Sequence, residues 1–232
     1  MEEIIPKRRL FNLANVLTLS RFAAAPILLA LILALPSPRY SFISIHEGSF
    51  YEGTLLSSPI MAIAAFLLLS AALLTDLFDG RVARRYKIVT NFGKIMDPIA
   101  DSTLFLTILF GFSVSERFRE YFPIWFPLIV LYREIGIQIL RRYGALKGMV
   151  LAAHWSGKAK MAIQSVLLLI WFAALAVFDT ILYMTPFNEW SKLAWMETTL
   201  QISLWWIGLV IVVVNVLSLL EYLRKAPKLM EE

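Results

Sequence analysis

Six apolar runs divide this 232-residue sequence, at about 13–35, 58–78, 93–114, 122–140, 159–178 and 202–221. Each is long enough to cross a bilayer as a helix. Such runs leave few folds open. In hydrocarbon, every backbone N–H and C=O must be bonded within the chain, so a run of about 20 apolar residues folds as a helix. Hydrophobic residues make up 59% of the chain and charged residues 17%, a balance outside the range of soluble domains. The predicted fold class is therefore an all-α membrane protein, a single domain over 1–232 with six transmembrane helices. The first run is longer than a signal-peptide core and lacks a small-residue cleavage site, so it is read as a span. There is no cysteine, which excludes disulfide and thiolate chemistry.

Charge alternates along the chain in step with the runs. Lys7, Arg8 and Arg9 precede the first run, and residues 1–11 read as a short interfacial segment. Arg81, Arg84, Arg85, Lys87 and Lys94 lie between the second and third, Arg141, Arg142, Lys147, Lys158 and Lys160 between the fourth and fifth, and Arg224, Lys225 and Lys228 after the sixth. The other side holds only Arg39, Arg117, Arg119 and Lys192. An excess of Lys and Arg marks the cytoplasmic face, so both termini are expected there, in an inner membrane. Residues 37–57 and 179–199 are then outer loops, the second rich in interfacial aromatics (Tyr183, Phe187, Trp190, Trp195). The net charge of +5 points to anionic lipid head groups rather than nucleic acid.

The chain has five aspartates, and four of them fall within 76–101. Asp76 and Asp79 are spaced i,i+3, and Asp97 and Asp101 i,i+4, so helical segments would present each pair on one face. Carboxylates beside membrane spans are costly, and four together call for a cation. Oxygen ligands without Cys or His select a hard divalent ion, Mg²⁺ or Mn²⁺. Two such ions would neutralise the four charges, and a two-metal site suits displacement at phosphorus. Consecutive runs joined by a short basic connection are expected to pack as antiparallel neighbours with their Asp faces opposed. Gly80 and Ala83 leave room beside the acids, and Arg84 offers a forked donor to phosphate. In the first span Asn15, Thr18 and Arg21 share a helix face. Capping or interhelical hydrogen bonding accounts for the first two and snorkelling to head groups for Arg21.

Residues 76–101 resemble the signature of the CDP-alcohol phosphotransferases, D-x-x-D-G-x-x-A-R, eight residues, then G-x-x-x-D-x-x-x-D, matched at every defined position. The resemblance implies a six-helix membrane fold, usually homodimeric, with its site at the cytoplasmic surface. Carried over by position, Asp76, Asp79, Asp97 and Asp101 resemble the ligands of two divalent ions, and Asp101 also the general base. Asn15, Thr18, Gly80, Ala83, Arg84, Thr90 and Gly93 resemble residues around the CDP moiety. The implied reaction is direct transfer from a CDP-linked lipid to an alcohol.

The second half is similar to bacterial CDP-diacylglycerol–glycerol-3-phosphate phosphatidyltransferases. The pieces that carry this are Arg133-Glu134-Ile135, Arg141 and Ser156-Gly157-Lys158-Ala159-Lys160. It implies CDP-diacylglycerol and glycerol 3-phosphate as substrates, with Arg133, Arg141, Lys158 and Lys160 as a cationic pocket for the acceptor phosphate. Positive-inside decoration explains the last three equally well, and an internal Arg133–Glu134 pair can be structural. Other acceptors (inositol phosphate, serine or a preformed lipid) fit the same Asp pattern. A divalent-cation transporter is the rival from another class, but its acids would line a path through the membrane, away from Arg84.

Overall fold

The computed structural model describes residues 13–37, 52–86, 91–146 and 155–230. Among them are six α-helices and no strand: α1 (Leu13–Ala34), α2 (Glu52–Tyr86), α3 (Asn91–Val114), α4 (Trp125–Leu146), α5 (Trp155–Met184) and α6 (Ala194–Met230). Each expected run coincides largely with one helix. Three stretches are long and apolar enough to cross a membrane, Ser58–Thr75, Ala159–Met184 and Glu189–Arg224; Leu19–Ala34 and Ile99–Val114 are shorter apolar helices.

The helices close into a ring, in which α1 packs on α2, α2 on α5, α5 on α6, α6 on α4, α4 on α3, and α3 back on α1. The ring interior is a continuous apolar core to which every helix contributes, with Leu28, Leu69, Ile108, Val130, Phe172 and Ile211 among its buried side chains. The ring exterior is apolar too: Ile60, Leu67, Ile170, Val177, Trp206 and Leu217 are all exposed. Such a surface is stable against lipid tails and a liability in water. At one end of the core, Phe112 packs edge-on against Phe118, Phe122 and Trp171, with centroids 4.9–5.6 Å apart. Gly208 on α6 makes room for this layer, since a Cβ there would lie 2.5 Å from the Phe126 ring.

Two expectations are corrected. Residues 179–199 are not a loop. Helix α5 runs on to Met184, a 3-10 helix covers Phe187–Leu193, and α6 starts at Ala194. Pro186 breaks the chain there, while Asp179 and Glu197, which interrupt the apolar pattern, are buried within helices. Trp190 is buried against Phe178 and Leu182, whereas Trp195 and Tyr183 are exposed. Likewise residues 52–57 of the other expected loop belong to α2, and 38–51 lie outside the described residues. The second concerns packing along the Asp-bearing helices; the turns on which their Asp faces were expected to meet have side chains mostly outside the described residues. Among the described residues, α2 and α3 are not packed along their lengths; α1 lies against both.

Candidate active site

The acidic pairs stand on unbroken helix. Asp76 and Asp79 lie in the last turns of α2, and Asp97 and Asp101 in the first turns of α3. The helical register places the members of each pair on one face, as their spacing requires. Of the four side chains, only that of Asp101 is among the described residues. Also outside are the side chains of Asn15, Thr18, Ala83, Arg84, Arg141 and Lys158, the surroundings of Gly80 and Gly93, and the whole of Thr90. Among the described residues no group of three His, Cys, Asp or Glu converges, because three of the aspartates are not in that set. The donor chemistry fits a hard divalent ion. Carboxylate oxygens are its preferred ligands, and the one described, on Asp101, is about a quarter exposed, about three turns into α3.

Asp101 Oδ1 accepts a hydrogen bond from Arg21 Nη1, an ion pair between α1 and α3. The Arg21 side chain is only 1% exposed. It does not snorkel. An acid within reach inside the bundle holds the guanidinium by charge and by the hydrogen bond from Nη1, which a head group at the surface would otherwise do.

Next to Asp101 begins a second cluster. Ser102 Oγ donates to Glu134 Oε2 at 3.3 Å. Glu134 Oε1 accepts from Arg133 Nη1 at 2.9 Å and also from Lys160 Nζ. Arg133 Nη2 donates to Ser218 Oγ at 2.8 Å. Arg133 and Lys160 are both buried. Two of the four candidate phosphate-binding cations thus meet at one carboxylate, drawn from α4 and α5, with α3 and α6 completing the cluster. Ser102 and Ser218 were not legible in sequence, since a serine in a span usually bonds its own helix, as Ser165 does with Met161 O.

A third cluster lies at the far end of the bundle. Arg117 donates to both oxygens of Asp179, at 2.8 and 2.6 Å, and to Glu197 at 3.1 Å. Ser58 Oγ donates to Asp179 Oδ2 at 2.7 Å, and Gln201 Nε2 to Glu197 Oε1 at 2.8 Å. Burial works against the charge on Arg117, but the facing Asp179 and Glu197 carboxylates outweigh it and raise its pKa. The sequence had suggested only an outer-face cation here.

These features agree with comparisons to known proteins. A family model described as CDP-alcohol phosphatidyltransferase matches residues 11–214. A Mycobacterium tuberculosis protein named "Probable phosphatidylglycerophosphate synthase" is 36% identical over 164 residues, covering 71% of this chain and 67% of its own. A Bacillus subtilis CDP-diacylglycerol–glycerol-3-phosphate 3-phosphatidyltransferase is 32% identical over 182 residues, 77% of this chain and 81% of its own. A Streptomyces coelicolor cardiolipin synthase (CMP-forming) is 30% identical over 218 residues, 88% and 83% respectively. With the acidic pattern, its placement on two helices and this match over most of its length, the chain belongs to the CDP-alcohol phosphatidyltransferase family.

Proposed function

We propose that this enzyme transfers a phosphatidyl group from CDP-diacylglycerol to sn-glycerol 3-phosphate, giving phosphatidylglycerophosphate and CMP. The observation that carries the reading is the meeting of two buried cations, Arg133 and Lys160, at Glu134, which Ser102 links to the turn bearing Asp101. An acceptor with its own phosphate needs such a pocket beside the base; an uncharged alcohol does not.

Asp76, Asp79, Asp97 and Asp101 would hold Mg²⁺ or Mn²⁺, two ions in this reading. When bound, these ions would supply the positive charge that the pyrophosphate linkage needs as CMP leaves. Asp101 takes the proton of the acceptor hydroxyl. That oxygen forms a bond to the lipid-side phosphorus as the bond to the CMP oxygen breaks. Asn15, Thr18, Gly80, Ala83, Arg84, Thr90 and Gly93 line the CDP moiety, and Arg141 and Lys158 add to the acceptor pocket. The six helices all span an inner membrane, with both termini and the site on the cytoplasmic side, and the protein works as a homodimer.

The Streptomyces coelicolor relative favours one second reading, the same chemistry with phosphatidylglycerol as acceptor. The test is CMP release by purified protein from CDP-diacylglycerol with Mn²⁺ and, separately, glycerol 3-phosphate, phosphatidylglycerol, inositol phosphate and serine. Release with glycerol 3-phosphate is expected. Release with phosphatidylglycerol alone selects the second reading, and release with none of them ends both.

A further inference from the structure

We propose that Arg21 is a positioning residue for the transfer, fixing the carboxylate of Asp101 from the neighbouring helix; this rests on Asp101 being the base. Three observations lead there. The guanidinium is wholly buried, and it donates to Asp101 Oδ1. Helix α1 packs on both α2 and α3, so Arg21 reaches the acidic site from the helix that joins its two halves. Asn15 and Thr18, proposed above to line the CDP moiety, precede Arg21 on α1, so one helix would both serve the nucleotide and orient the base.

A general base must lie within hydrogen-bond reach of the proton that it takes. A carboxylate on a helix face, one-quarter exposed, has rotamers to choose from. A bond to one oxygen removes most of them and leaves the other aimed away from the guanidinium. The same cation also opposes divalent ions at the site. Its loss is therefore expected to act in opposite directions on two measurements, lowering turnover and tightening metal binding. Loss of a merely structural contact would weaken both.

The experiment compares wild type, Arg21→Ala, Arg21→Lys and Asp101→Asn in detergent micelles. In Arg21→Ala, kcat is expected to fall about tenfold or more, with KM for CDP-diacylglycerol within about twofold of wild type. Added guanidinium should restore part of the rate. Mn²⁺ binding without substrate, read from the spectrum of the free ion, should tighten by about threefold to tenfold. Should Arg21→Ala not fold, Arg21→Lys decides, because it keeps the charge but loses the fork and should still lose kcat. The proposal is overturned by an unchanged kcat, by a loss confined to KM for the CDP-lipid, or by weaker Mn²⁺ binding. Full activity in Asp101→Asn would instead remove the base itself, a failure distinct from that of Arg21.

Discussion

The far-side cluster allows a magnitude to be worked out before any measurement. The Arg117 guanidinium and the Asp179 carboxylate are both 0% exposed, and Glu197 is 10% exposed. Arg117→Met fills a similar volume but leaves two buried carboxylates without their cation. Removing one partner of a buried pair costs about 3–5 kcal/mol, mostly the desolvation of what remains. For a chain of this size that corresponds to roughly 6–20 °C in melting temperature. The triple replacement Arg117→Met, Asp179→Leu, Glu197→Leu removes every charge and should recover most of the loss, because apolar side chains of similar volume often replace a buried ion cluster at no cost. Unfolding would be followed by tryptophan fluorescence and circular dichroism during SDS titration in mixed micelles. Activity of Arg117→Met at low temperature should stay within about twofold, since Ser58 and Asp76 are separated by about 27 Å of helix. A destabilisation below about 1 kcal/mol, or a triple variant no more stable than the single one, would refute the assignment of this cluster as a buried charge clasp.

Three shorter predictions concern the site. Asp101→Asn should lower kcat by about 10²–10⁴-fold while CDP-diacylglycerol binding persists, measured by single-turnover CMP release and by equilibrium binding. Excess EDTA should abolish CMP release and Mn²⁺ or Mg²⁺ restore it; release in the chelator would remove the metal role. Lys160→Met should raise KM for glycerol 3-phosphate about tenfold or more and leave KM for CDP-diacylglycerol unchanged; an equal rise in both would place Lys160 outside the acceptor pocket.

What the sequence revealed and what it hid divide along a physical line. Apolar runs are local, and the six helices follow from them. The spacing of Asp76, Asp79, Asp97 and Asp101 is local as well, and a continuous helix under each pair is all that it needs. Charge partners across the chain are not local. Arg21 was read as snorkelling because its acid is 80 residues away. Asp179 and Glu197 were read as loop because their cation is 62 and 80 residues away. The Arg133–Glu134 neighbour pair was visible, but the arrival of Lys160 at the same oxygen required its long side chain to reach from α5 to α4's charged turn. The expectation that consecutive helices pack together gave way where α1 joined α2 and α3.

Helix α4 is the hardest case for six spans, and its faces bear on it directly. It carries Arg133 and Glu134 and is not among the stretches counted as apolar enough to cross. Yet Tyr132, Ile135 and Ile139 are exposed on its outer side while Arg133 is buried. That is the reverse of a soluble helix and the pattern expected where charged groups face a bundle interior and apolar ones face lipid. The polar levels agree. Ser58 to Asp76 on α2, Lys160 to Asp179 on α5, and Glu197 to Ser218 on α6 span about 27, 29 and 32 Å of helix. Each is close to the roughly 30 Å hydrocarbon thickness. One level holds Arg133, Lys160 and Ser218, and the other holds Arg117, Asp179 and Glu197. Because the chain has no cysteine, the orientation can be read from single replacements. Arg119 before α4 and Arg142 near its end are both exposed. With an impermeant maleimide on intact cells, Arg119→Cys should label at once and Arg142→Cys only after permeabilisation. The reverse order would invert the proposed topology, and labelling of both in intact cells would place the two residues on one side and remove α4 as a span.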